Sequence, residues 1–357
     1  MTPIIAAEPG DLKRAWANLR EENPNLRIRE AAENLRVSEA ELLATDIGET
    51  VTRLDARCAE IIQELPALQR IMALTRNDEI VHERKGEYGN VEIIPGHGTM
   101  GLVLGDDIDL RIFFDYWHFA FAVTGKSPRG ATYSLQFFGA DGAAIHKVFL
   151  TEQSDHPAYE KLIEKYRSAD QSPAIDVQAK AEKALEKADT TIDVEGFRAA
   201  WANLKDTHDF FPLLRKFGVA REQALRLANK EMAREVRADS FKFVLEKASE
   251  RRLPIMIFVG NQGIIQIHTG EVERIAEARG WFNVLDERFN LHINQKKIAR
   301  AWIVKKPTAD GTVTSLELFN QTGENVALFF GKRKPGIPES EAWRALIEDL
   351  SQKLFQK

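Results

Sequence analysis

The sequence predicts an α+β protein: a tandem repeat of two similar domains, each a large antiparallel β-sheet flanked by helices. The first observation is self-similarity. Leu110 to Leu150 lies over Leu291 to Gly331 at a constant shift of 181, pairing Leu110/Leu291, Ile112/Ile293, Ser134/Ser315, Leu135/Leu316, Phe138/Phe319, Gly142/Gly323 and Phe149/Phe330. Trp16-Ala-Asn-Leu19 recurs as Trp201-Ala-Asn-Leu204 at a shift of 185. A register held from strand through turn to helix start marks two copies of one unit. The second observation is that helical and strand periodicities are segregated along each copy rather than alternating, which predicts α+β rather than α/β. The copies are expected over 1–168 and 192–357. Residues 169–191, rich in Ala, Lys and Glu, are expected to form a helical linker between them.

In the first copy, Asp11 to Leu19 and Leu26 to Leu35 have helical period, and Ser38-x-x-Glu41 is a capping box that opens a third helix. Arg57 to Ala67 extends the helical part, with Leu54, Cys58, Ile61 and Ile62 expected on one side. After Arg70 the period becomes two. IMALT, VEII, GLVL, IDLRIFF, WHFAFAV, TYSLQFF and AAIHKVF read as short strands punctuated by Gly, Pro, Asp and Asn, and Pro157 opens a closing helix. The second copy repeats the plan. Three helices run to about Lys247, strands follow from Pro254 to Phe330, and ESEAWRALIEDL closes the chain as a helix.

With 357 residues, 44% apolar and 29% charged, the composition is that of a globular protein with more than one core. The net charge of -5 gives no reason to expect a general polyanion partner. The first residues lack a basic, apolar leader and no stretch approaches a membrane span, so a cytoplasmic protein without membrane insertion is expected. One cysteine, Cys58, excludes an internal disulfide, a thiolate zinc cluster and a C-x-x-C-H haem attachment, and its apolar neighbours predict a buried thiol.

Duplicated domains keep their cores and diverge at their sites, so residues present in one copy only mark candidate chemistry. In DTHDFFPLLRKF, Asp206 and Thr207 suit a helix start, Pro212 suits a first turn, and Leu213, Leu214 and Phe217 supply the apolar stripe. His208 then stands at the mouth of a rigid element, where the first copy has Asn23. In the strand of Leu110, Ile112 and Phe114, alternation puts Asp109, Arg111 and Phe113 on the other face, and Arg111 answers to His292 in the second copy. Lys305-Lys306-Pro307 and Gly331-Lys-Arg-Lys-Pro335 put five basic side chains on strand ends and loops, where they can converge on an anionic group. The other histidines read as structural: His118 on a strand, His146 and His268 on strand ends, His156 before a proline, His82 and His97 in polar turns. No pair has H-E-x-x-H or facial-triad spacing, and G-x-S-x-G, Walker A and G-x-G-x-x-G patterns are absent.

The ordered set of IDLRIF from Ile108, THDFFPLL at Thr207, WFNVLDERFNLHI from Trp281, AWIVKKPTADG from Ala301, TSLELFN and FFGKRKPG resembles the cytoplasmic haem-trafficking and haem-degrading proteins of bacterial haem-uptake operons, the HemS/ChuS/ShuS/PhuS type. The resemblance covers nearly the whole chain and is densest in the second half. It implies one bound haem (haem b), with His208 as its iron ligand and Arg111 as the polar group on the distal side. It further implies Lys306 and Arg333 as propionate partners, and Phe113 and Phe258 as apolar contacts to the porphyrin. Physical chemistry agrees with those roles, since neutral imidazole suits haem iron, cations suit carboxylates and a flat macrocycle needs apolar walls. The implied function is haem transfer, oxidative haem degradation with an external electron donor, or both. The expected partners are haem, a haem-uptake transporter, and a haem oxygenase or reductase.

A second reading comes from LRIREAAENLRVSEAELLA, Leu26 to Ala44, which has helix-turn-helix spacing and suggests a nucleic-acid-binding regulator. Its capped helix carries Glu39 and Glu41 where a recognition helix needs base-reading or phosphate-binding groups. Nucleic acid is therefore not expected as the primary partner.

Overall fold

The structure is a computed structural model that describes residues 9–96, 98–128, 130–180, 185–334 and 336–355. Its first repeat runs α1 (Pro9–Glu22), α2 (Ile28–Leu35), α3 (Glu39–Ala44), β1 (Val51–Leu54), α4 (Cys58–Glu64), β2 (Gln69–Arg76), β3 (Ile80–Glu87), β4 (Val91–Gly96), β5 (Gly98–Leu104), β6 (Asp109–Phe113), β7 (Phe119–Ser127), β8 (Gly130–Phe138), β9 (Ala144–Ser154) and α5 (His156–Tyr166). The second runs α6 (Val194–Ala202), α7 (Phe210–Phe217), α8 (Arg221–Leu227), β10 (Ala233–Val236), α9 (Ser240–Glu250), β11 (Ile255–Gly260), β12 (Ile264–Gly270), β13 (Ile275–Ala278), β14 (Trp281–Leu285), β15 (Phe289–Asn294), β16 (Arg300–Thr308), β17 (Gly311–Phe319), β18 (Asn325–Gly331) and α10 (Glu341–Phe355). Helices and strands are largely segregated in both, as the periodicities predict, except that β1 lies between α3 and α4 and β10 between α8 and α9.

The strands form two nine-stranded sheets, ordered β1-β7-β8-β9-β2-β3-β15-β14-β13 and β10-β16-β17-β18-β11-β12-β6-β5-β4. Each sheet therefore draws strands from both repeats, which the one-sheet-per-repeat expectation did not include. The chain divides into two compact units that follow this exchange: Arg76–Glu83 counts with the second repeat and Asn261–Ile265 with the first. One device serves both hairpin tips. Asn77 Nδ2 donates to Gly260 O (3.1 Å) and Val326 O (2.9 Å), and Asn261 Nδ2 donates to Ile145 O (2.8 Å).

Within the first unit, Ile61, Leu65, Ile71, Leu110, Ile112, Leu135, Phe137 and Val148 form the core between sheet and helices. Cys58 is buried there, and burial pushes its thiol up to about 12, as suits a structural rather than a reactive cysteine. Leu54, expected on the same helix, instead ends strand β1, paired with Ala120. Within the second unit, Phe241, Val244, Ile255, Ile257, Leu291, Leu316, Leu318, Phe329 and Trp343 play the same part.

Several expectations need correction. The linker shows no α-helix among its described residues, only a 3-10 turn at Asp189–Thr191. Most helical stability in proteins comes from packing an apolar face, and this polar segment has little to bury. Arg53 instead holds the extended chain through Ser172 O (2.7 Å) and Ala174 O (2.6 Å). His82 lies in β3, fully buried, with its ring 5.0 Å from Phe289 rather than in a polar turn. His118 is exposed just before β7, and His97 lies outside the described residues. The helix-turn-helix reading fails on burial. Six-residue α3 is held by the Ser38/Glu41 capping box and buries Glu39, Ala40, Leu42, Leu43 and Ala44, with Glu39 paired to Lys147. A helix buried in this way has no face to offer a DNA groove.

His146 of β9 is enclosed in the first unit, its Nδ1 2.9 Å from Thr75 Oγ1 and its Nε2 2.6 Å from Tyr88 Oη. Desolvation pushes the imidazole down from 6.5 to about 3, so the folded protein keeps it neutral. Its contribution to stability is complete above about pH 6.5, where the unfolded chain's histidine is also neutral. It is lost progressively as pH falls toward 3, because the unfolded chain then binds the extra proton. Urea unfolding is expected to lose about 2 kcal/mol between pH 6.5 and 5 from this residue, at about 1.4 kcal/mol per pH unit. His146→Gln, compared over the same range, should show a shallower slope; an unchanged slope would remove the residue from the acid response.

Candidate functional site

In the second unit, α6 stops at Ala202 and the chain makes a 3-10 turn at Thr207–Asp209 before α7 begins. Asp206 caps that turn, its Oδ1 accepting the His208 amide at 2.8 Å, rather than capping α7 itself as the sequence suggests. The same oxygen lies 2.6 Å from His208 Nδ1. The Asp206 carboxyl is held below the usual carboxylate range, by the His208 amide first, then by the His208 ring and the Arg333 charge. A charged carboxylate only accepts, so Nδ1 carries the proton and Nε2 keeps the lone pair. The His208 side chain is 88% exposed, so that lone pair is offered outward.

Burial of the next residue anchors this turn. Phe210 packs edge-on against Trp201 at 4.6 Å between centroids, Leu213 and Leu214 bury the next turn, and Gly218 at φ +62 ends α7 in the left-handed conformation. Phe211, beside the buried Phe210, is 61% exposed.

Lys306 is not where a surface propionate partner would be. It is buried beneath Phe210, its Nζ 4.5 Å from that ring and 2.7 Å from Glu317 Oε1. Glu317, fully buried, also takes Arg221 Nε at 2.8 Å and Arg221 Nη2 at 3.0 Å. Burial alone would raise the Glu317 carboxyl, but Arg221 and Lys306 outweigh it and hold it down to about 2. The sequence put Lys306 on a strand end, and alternation then turned it inward, leaving Lys305 as the exposed lysine of the pair. Glu317→Ala would strand two cations in this layer. It should cost about 3–5 kcal/mol, read from urea unfolding. A loss below 1 kcal/mol would show that water reaches the pair.

Arg333 follows β18, with Nη2 3.7 Å from Asp310 Oδ2, while its buried Nε donates to no group among the described residues. Asp310 also accepts the Gly336 amide (3.0 Å), and Ala309 N donates to Lys205 O (2.9 Å). The β16–β17 turn, the segment before His208 and the loop after β18 thus converge, and Arg333 enters them with unmet donor capacity. Phe258 of β11 stands opposite Leu328, its ring 5.2 Å from Phe330, with Met256 alongside. Registers put this face in line with Glu317 and Trp302. There α6 to α8 cover it with Trp201, Phe210 and Leu225, whereas Met256, Phe258, Leu328 and Phe330 stay half-buried.

In the first unit, β6 alternates as expected: Leu110 and Ile112 are buried, while Asp109, Arg111 and Phe113 take the other face. Arg111 donates to Asp109 Oδ1 and to Leu110 O (3.1 Å). Burial raises the Asp109 carboxyl in spite of that partner. Met100, Leu102 and Leu104 stand opposite Phe113, Arg111 and Asp109, with Ile94 opposite Met100, and Leu104 is 60% exposed. Arg111, paired with Asp109, therefore stands on a part-exposed sheet face among Met100, Leu102, Leu104 and Phe113, with Glu92 beyond Leu102. Its counterpart His292 in the second unit is held by Asn283 Oδ1 at 2.7 Å from its Nδ1. The structure thus groups Arg111 with Phe113 in one unit and His208 with Arg333 in the other. Asp206, Arg221 and Glu317 belong to this chemistry and were not singled out by sequence as partners. The carboxylate two residues before the histidine was the available signal for the first.

The haemin-degrading HemS/ChuX domain model matches the chain twice, over residues 36–166 and 218–350. The chain belongs to that family. It is 37% identical over 333 residues to the hemin transport protein HemS of Yersinia enterocolitica, covering 93% of this chain and 95% of that one. Among solved structures it resembles holo-PhuS, a haem-binding protein from Pseudomonas aeruginosa, at 47% identity and a TM-score of 0.92, over 96% of this chain and 98% of that one. The haem-degrading enzyme ChuS of Escherichia coli O157:H7 follows at 32% identity and a TM-score of 0.88, over 96% and 99%. Among the described residues, no helix is long and apolar enough to cross a membrane.

Proposed function

We propose that this chain is a cytoplasmic haem-binding protein of bacterial iron acquisition that carries haem b and opens its ring with an external electron donor. The observation that carries the reading is His208, an exposed imidazole whose tautomer is set by Asp206 so that Nε2 points outward. A haem-binding relative at 47% identity and a haem-degrading one at 32% support the ligand and the chemistry.

The residues present fit a haem. Within the second unit its flat apolar body suits half-buried Met256, Phe258, Leu328 and Phe330; within the first, Phe113 with Leu102 and exposed Leu104 offers apolar surface of the same kind. Its carboxylates suit Arg333, whose buried Nε has no partner among the described residues. His208 would hold the haem iron through its outward ring nitrogen, and as a single histidine ligand it would leave the iron open to chemistry or handover. Arg111 would supply guanidinium donors as the distal polar group that the family resemblance implies. Lys306 supports the site from beneath Phe210 rather than by direct contact. Bound haem would supply an iron centre able to react with dioxygen. The protein's part is to bind, orient and partly shield it. The partners this reading expects are a haem-uptake transporter as the source, with a reductase as electron donor for ring opening or a haem oxygenase as recipient of carried haem.

Haem titration followed optically tests the reading. One haem per chain at micromolar or tighter affinity is expected, because only the second repeat has an imidazole at the His208 position. Two equivalent sites would contradict that asymmetry.

A further inference from the structure

We propose that Asp206 is a positioning residue for the iron ligand: it holds the His208 ring in one tautomer and orientation and strengthens Nε2 as an electron donor to a bound ferric centre. The proposal rests on the reading of His208 as that ligand. Its geometry is local and complete. One carboxylate oxygen takes both the His208 amide (2.8 Å) and the His208 ring Nδ1 (2.6 Å), so backbone and ring are fixed by a single acceptor. A ligand imidazole that donates its second N–H to a carboxylate gains basicity, and a more basic axial ligand favours the oxidised metal.

The surroundings favour the same role. The turn is anchored by Phe210 in the core, so the carboxylate and the ring sit on a braced segment rather than a loose loop. Lys205 O, one residue before Asp206, accepts the Ala309 amide at 2.9 Å, which ties this segment to the β16–β17 turn that carries Asp310. Arg333 stands near enough for its charge to act on Asp206. The group proposed for haem propionates and the group that tunes the ligand thus share one electrostatic neighbourhood. The first repeat lacks the pair: its corresponding residues are Glu21 and Asn23, and α1 runs on to Glu22 where the second repeat breaks into a turn.

Asp206→Asn separates tuning from folding, because asparagine caps helix starts as well as aspartate but carries no charge. Two measurements on the full chain are expected to move together. In haem-free protein, nitrogen-15 NMR of the His208 ring should show the Nδ1–H tautomer in wild type and a mixture in the variant. In haem-loaded protein, stoichiometry should hold while the ferric/ferrous midpoint potential rises. The ferrous-to-ferric ratio at fixed ambient potential should increase by about tenfold, equivalent to about 59 mV for one electron. An unchanged potential in Asp206→Asn, with the spectrum altered in His208→Ala, would overturn the role of Asp206 alone. A wild-type spectrum in His208→Ala would overturn both the ligand assignment and this role.

Discussion

His208→Ala is expected to lose the wild-type Soret and spin-state spectrum and to retain haem at least about tenfold more weakly on gel filtration, a loss of about 1.4 kcal/mol or more. Among the candidate haem-contacting residues described above, His208 alone is a histidine, it is 88% exposed, and its Nε2 is aimed outward by Asp206. Truncation to alanine removes the nitrogen while leaving the Asp206 cap, the Phe210 anchor and Arg333 in place. The change should therefore be spectroscopic rather than a general unfolding, and a far-ultraviolet dichroism spectrum equal to wild type would confirm that. His118→Ala and His156→Ala, both on exposed side chains, serve as controls and should leave the spectrum unchanged. His82 is a poor control because it is fully buried beside Phe289. If the His208→Ala spectrum matched wild type, His292 would be the next residue to test, since its Nδ1 is also fixed by a side-chain oxygen.

The parts of this protein that were legible in its sequence are those set by local periodicity. β6 could be read from Asp109 to Phe113 because one face is wholly buried and the other is not, and α5 because Pro157 follows the Asp155 cap. The repeat was legible because both copies bury the same positions. Strand exchange was not, because the side chains that fix it, Asn77 and Asn261, bond to backbone far away in sequence and carry no periodic signal. β1, β10 and β13 have four residues each, too few for a period to show beside neighbouring helices and turns. β3 was missed for another reason. IVHERKGE looks like a polar turn, yet Ile80, Val81 and His82 are all buried.

At the candidate site, residue type could be read and environment could not. His208 is exposed beside Asp206 and Arg333 keeps a buried Nε with no partner among the described residues, whereas Lys306 shares its sequence context with Lys305 and differs from it only by the alternation of one strand. That single step puts one ammonium in water and the other against Glu317 and Phe210. Only a partner from β17, invisible to a local reading, decides between a lysine that meets a ligand and one that stiffens the floor beneath it.

Arg111→Ala is expected to separate turnover from carriage. The residue stands on the β6 face with Phe113, away from buried Leu110 and Ile112, and its guanidinium is shared between Asp109 and the Leu110 carbonyl. On the function proposed above, removing it should leave one haem per chain, because His208 and Arg333 would still hold the iron and the carboxylates. Ring opening in the presence of dioxygen and a reductant should fall about 10²- to 10³-fold, or about 2.7–4 kcal/mol, the range found when one donor to developing negative charge is lost from a preorganised site. Arg111→Lys keeps the charge without the planar fork and should fall in between. The measurement is loss of the Soret band with growth of a bilin-type absorption, run with catalase so that free peroxide does not degrade haem on its own. Equal rates in wild type and Arg111→Ala would remove Arg111 from the chemistry. Catalase-resistant turnover absent from both would leave the protein as a carrier, with Arg111 a cation on a part-exposed sheet face that contributes to binding alone.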